Sequence, residues 1–147
     1  MAFVFQRLSG LFGSSRKPAA SVVIDASSIQ AQQPECFPDS TNGIVTWKTL
    51  ISAPKTATDS LTVGIATCPP RQGHLCPHRH QQAEIYHITS GRGVMEIDGR
   101  EQDVCAGSVV YIPGNARHGI RNDDPEQELK WLYVFGTDSF EDVKYRF

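Results

Sequence analysis

The run His78-Arg79-His80-Gln81-Gln82-Ala83-Glu84-Ile85-Tyr86, followed downstream by Pro113-Gly114-Asn115-Ala116-Arg117-His118, decides the fold. Alternate residues of a strand share a face, so His78 and His80 point the same way if this run is extended. Glu84 and Tyr86 keep the same even parity in Ala83–Thr89, a stretch of strand character. On a helix His78 and His80 would stand about 200° apart. The spacing therefore predicts a sheet and argues against the helical H-E-x-x-H type of metal site. Three imidazoles (His78, His80, His118) and one carboxylate (Glu84) form a ligand set for a divalent transition metal: Fe, Mn, Ni, Co or Zn.

Working outward, the chain reads as short strands separated by turns. Ser21–Ile24, Ile44–Ile51, Leu61–Thr67, Glu84–Thr89, Val94–Ile97, Gln102–Val104, Ser108–Ile112, His118–Arg121 and Leu129–Phe135 are the predicted strands. Asp98-Gly99 is the strongest hairpin signal, a type I′ turn. Asn122–Glu128 is an acidic turn, and Ser139–Val143 is expected to make one helical turn. Many short strands with Gly and Pro turns imply an all-β sandwich or barrel.

The 147 residues suit one domain with a real core. An apolar share of 39%, a charged share of 20% and a net charge of −2 supply no electrostatic attraction for nucleic acid. No segment approaches the apolar length that spans a bilayer. Four cysteines without C-x-x-C spacing are expected to be reduced, which points to the cytoplasm. Cys76, two places before His78, is expected beside the site but not on the metal. Residues 1–20 contain Arg7, Arg16 and Lys17 and no acid. They read as an N-terminal arm, with a mitochondrial transit peptide as the alternative, and residues 21–147 as the domain. Small barrels with such arms pair readily, so a homodimer is expected.

These residues carry a resemblance to the cupins. The first cupin motif, G-x5-H-x-H-x3,4-E-x6-G, is met by His78, His80, Glu84 and Gly91, with the leading glycine one place off at Gly73. The second, G-x5-P-x-G-x2-H-x3-N, is met by Gly107, Pro113, His118 and Asn122. Its inner glycine is replaced by Asn115 and shifted to Gly114; asparagine tolerates the left-handed backbone such a turn needs. The resemblance implies a jelly-roll β-barrel of antiparallel strands with the metal in its mouth. The second half of the chain is similar to the small cupin lyases that cleave dimethylsulfoniopropionate (DMSP). That similarity implies that Tyr86 acts as the base or as a metal-linked phenolate, and that Tyr145 lines the pocket.

A metal dication beside Tyr86 would lower its phenol from about pH 10. A base beside an anchored small carboxylate suits β-elimination, in which an α-proton and a thioether are lost. A core tyrosine that hydrogen-bonds a ligand is the plainer reading of Tyr86. Trp131 and Tyr133 share a face of the last long strand, and with Trp47 they are either core or an aromatic pocket wall for a sulfonium. By parity Arg79, His87, Arg117 and Arg121 point away from the metal, and His74 is expected in a loop. Alternatives to a lyase are a non-haem iron dioxygenase, a redox-neutral isomerase, dehydratase or cyclase, and a non-catalytic barrel that binds metal and ligand.

Overall fold

The computed structural model describes residues 18–147. The predicted arm or transit peptide lies almost wholly outside them. Among the described residues the strands are β1 (Glu35–Cys36), β2 (Gly43–Ile44), β3 (Thr46–Ile51), β4 (Thr62–Cys68), β5 (His74–His78) and β6 (Glu84–Ser90). They continue with β7 (Arg92–Ile97), β8 (Arg100–Cys105), β9 (Val109–Ile112), β10 (His118–Arg121) and β11 (Leu129–Phe135). One sheet has the order β1-β3-β4-β11-β6-β9 and the other β2-β5-β10-β7-β8, with antiparallel pairing throughout.

The alternation read from the sequence is the alternation of burial. In β6, Glu84, Tyr86 and Ile88 are buried while Ile85 and His87 are exposed. In β11, Leu129, Trp131, Tyr133 and Phe135 face inward. The inner face of the first sheet packs these rings against Leu75, Met95 and Ile120 of the second. Burying each such side chain contributes about 1.5–3 kcal/mol. β4 lies under the rings, and Gly64 makes the room: a Cβ there would collide with the Tyr133 phenol.

Three expectations need correction. The stretch Ile44–Ile51 is not one strand, because the chain changes sheets at the buried Val45: Ile44 pairs with β5 and Thr46 with β4. Such a corner closes a two-sheet core. Ser21–Ile24 forms no strand; Val23 is 94% exposed, and no strand among the described residues pairs with it. Instead a short helix, Ala26–Ala31, follows, capped by Asp25, whose carboxylate accepts the Ser28 amide at 2.9 Å. His74 is not in a loop but opens β5, paired with Arg121 and Ile44. The Asp98-Gly99 turn has positive φ at both residues (47° and 79°), as type I′ requires. A single 3-10 turn, Phe140–Asp142, stands where one helical turn was expected. No helix among the described residues is long and apolar enough to cross a membrane.

Candidate metal centre

Register carries the distant motif segments together. In the second sheet β10 pairs antiparallel with β5, which sets His118 directly opposite His78. His80 follows just past the end of β5, one alternation on, while Arg79 between them is exposed. Glu84 opens β6 of the facing sheet. All four side chains are almost fully buried, at 0–2% exposure.

The hydrogen bonds define what the cluster needs. His78 Nδ1 donates to the Cys76 carbonyl, His80 Nδ1 to the Gln82 carbonyl and His118 Nδ1 to the Ala116 carbonyl, each at 2.9 Å. A neutral imidazole whose Nδ1 carries the proton presents a bare lone pair at Nε2. These ligand atoms lie within 4.8 Å of one another. Two donors on opposite sides of one ion at about 2.0–2.2 Å would be slightly closer than that. Among the described residues, the Nε2 atoms of His78 and His118 have no hydrogen-bond partner. The Glu84 carboxylate lies 3.2 Å from Nε2 of both His80 and His118. Lone pair against carboxylate is repulsive unless a cation, metal or proton, lies between them. The three histidines can therefore hold a metal ion, and the backbone carbonyls fix their orientation.

Burial pulls His78 down to about 3, with His118 and His80 acting in the same direction against the Cys76 carbonyl. His78 is thus held deprotonated, the form that binds metal.

Beside the histidines is a small inner cavity walled by Glu84, Tyr86, Tyr145, Trp47, Trp131 and Tyr133. Tyr86 is 2% exposed and its ring lies 5.3 Å from that of Trp131. Burial, then the Glu84 carboxylate, hold its phenol well above the usual range, and Trp131 opposes them. Tyr145 is raised in the same way, by burial first and Glu84 second. Its ring packs on His78 at 4.6 Å.

The cupin domain family matches residues 64–135. The chain is 43% identical over 110 residues to dimethylsulfoniopropionate lyase DddW of Ruegeria pomeroyi, covering 74% of this chain and 70% of that one. The chain belongs to the cupins. Among solved structures this cupin is similar to the polyketide cyclase RemF of Streptomyces resistomycificus (TM-score 0.68, 20% identity, 84% of each chain). It also resembles the structures described as DMSP lyases RdDddP and RnDddQII (TM-score 0.64, 19% identity, 78% of this chain and 60% of that one). Both likenesses speak to the jelly-roll fold.

In this cupin, Trp47, Glu84, Tyr86, Trp131, Tyr133 and Tyr145 line one cavity, and Tyr145 and Tyr86 meet His78 and His118 ring to ring at 4.6 Å and 6.4 Å. Trp47 sits at the cavity with its indole nitrogen donating to Glu35 at 3.1 Å, and Tyr133 meets Thr49 through their hydroxyls at 3.3 Å. Arg117 and Arg121 point outward to Glu96 and Glu101. The Cys76 thiol faces the Thr41 carbonyl, and all four cysteines are free. Sequence reasoning missed Phe37 and Phe147, whose rings lie 5.6 Å and 6.0 Å from Tyr145. Neither has a motif around it, and only the aromatic character of both segments hinted at a shared cluster.

Proposed function

We propose that this cupin is a metal-dependent lyase that eliminates a thioether from a small carboxylate, with DMSP as the substrate. The observation that supports the reading is the convergence of Tyr86 with the three-histidine cluster on one aromatic-walled cavity. The likeness to a DMSP lyase at 43% identity supports the choice of substrate.

His78, His80, His118 and Glu84 are the proposed ligands. When bound, a divalent ion supplies positive charge that anchors a carboxylate and makes neighbouring protons more acidic. The protein groups alone keep the Tyr86 phenol protonated, so Tyr86 serves as a base only with cationic charge beside it. Tyr86 oxygen takes the α-proton, the electron pair becomes the carbon–carbon double bond, and the β-carbon–sulfur bond breaks. The products are dimethyl sulfide, an unsaturated carboxylate and the proton held by the tyrosine. Trp131, Trp47 and Tyr133 offer ring faces to the sulfonium. Buried walls exclude water that would compete for the substrate's charges.

Headspace gas chromatography of metal-loaded protein with DMSP tests this. Dimethyl sulfide should form, and Tyr86→Phe should lower its rate by about 100-fold or more with metal content unchanged. Fe(II)-dependent oxygen consumption that survives Tyr86→Phe would overturn the lyase in favour of a dioxygenase.

A further inference from the structure

The cavity beside the histidines is narrow. Its volume is about 20 Å³, room for roughly one water and far too small for an organic carboxylate. Tyr145 forms part of its aromatic wall, and Phe147 stacks on Tyr145 at 18°; both rings lie near His78, at 4.6 Å and 5.6 Å. Phe37 meets both rings edge-on. An organic carboxylate fits beside the histidines only if the rings around this cavity move apart, and Tyr145 is carried by the segment 143–147.

The segment is rooted in the core by the buried Val143 and the packed Tyr145 ring, and its outer end, Arg146, is held by a few polar ties. One isolated antiparallel bridge joins it to the ligand strand: the Arg79 amide donates to the Arg146 carbonyl at 3.0 Å and the Arg146 amide to the Arg79 carbonyl at 2.9 Å. Gln82 Nε2 donates to the Asp142 carbonyl at 3.2 Å. Further hydrogen bonds pass through Asn115. Its side-chain oxygen accepts from the Arg146 guanidinium at 2.6 Å, and its carbonyl accepts from that of Arg79 at 2.5 Å. Its amide donates to the His80 carbonyl at 2.7 Å.

Asn115 stands where the second cupin motif has its inner glycine. Its φ of 64° is left-handed, which glycine adopts without strain. The turn therefore does not need an asparagine. The carboxamide is extra, and it is spent on Arg146 of the covering segment.

We propose that Asn115 is a positioning residue whose carboxamide clasps the segment 143–147 over the histidines, and that release of this clasp opens the site to its carboxylate substrate. The inference rests on the function proposed above only for the identity of the guest. A two-bond bridge at the rim of a barrel is the kind of unit that opens locally while the sheets stay intact. The guanidinium–amide bond is its charge-assisted part.

Asn115→Gly keeps the backbone conformation and removes only the carboxamide. Hydrogen exchange at the Arg79 and Arg146 amides should accelerate about tenfold, with β4 and β11 unchanged. Asn115→Asp keeps an acceptor for Arg146 and should restore the protection. In zinc-loaded protein, transfer of zinc to a chromophoric chelator should be about tenfold faster in Asn115→Gly than in wild type. Unchanged exchange in Asn115→Gly, or an aspartate variant that behaves like the glycine one, overturns the clasp. Faster exchange with unchanged zinc transfer overturns the gate. If the wild-type protein takes up no zinc or other transition metal, the lyase reading fails, while the exchange arm still decides the clasp.

Discussion

Two buried polar side chains flank the strand β10, and they are satisfied in opposite ways. Just beyond its far end, Asn122 is 1% exposed and uses both ends of its amide. Its nitrogen donates to the carbonyls of Cys68, Pro69 and Gln127 at 3.2, 3.0 and 2.8 Å, and its oxygen accepts the Asp124 amide at 3.0 Å. At the near end, His118 is equally buried, yet its Nε2 has no hydrogen-bond partner among the described residues and faces a carboxylate. Both belong to the same sequence motif. The amide ties three stretches of chain together, whereas the imidazole belongs to a cluster that can hold a metal ion. Burial costs a polar group its water, so the bonded amide offsets that cost within the protein and the bare nitrogen leaves it open to a ligand.

The strongest way to break this contrast is His118→Ala. It should weaken metal binding by more than about 100-fold, read by metal analysis after dialysis, while leaving the metal-free barrel folded. Asn122→Ala should do the reverse. Stranding several buried backbone carbonyls should cost about 2–4 kcal/mol in denaturant unfolding, with metal stoichiometry of the folded fraction retained.

A smaller effect sharpens the distinction through pH. His78 is held at about 3 in the folded protein against 6.5 for an ordinary histidine. Between those values the unfolded chain binds more protons than the folded one, so metal-stripped protein should lose stability as pH falls from about 6.5 towards 3. His78→Gln should flatten that slope, whereas Asn122→Ala should shift the curve without changing its shape. A wild-type slope that survives His78→Gln would show that other groups govern acid unfolding.

Much of the site is legible in the sequence, because strand parity is a local property. The alternation that sets His78 with His80, Glu84 with Tyr86, and Trp131 with Tyr133 comes from the pleat of the backbone, and the burial of these residues follows it. The same parity turns Arg79, His87, Arg117 and Arg121 outward. Local reading fails where a neighbour in space matters more than a neighbour in sequence. Nothing within Ile44–Ile51 announces a change of sheet at Val45, and nothing within Ser21–Ile24 announces that no strand among the described residues pairs with it.

Which side chains share a face, which residues can ligate, and which turn tolerates a left-handed residue are therefore set by covalent geometry and residue chemistry, one short segment at a time. That His118 lies opposite His78, that Glu84 reaches them from the facing sheet, and that Asn115 ties Arg146 above them follow from register and sheet packing. Those relations span long stretches of chain, and only burial of the shared core across both sheets selects them.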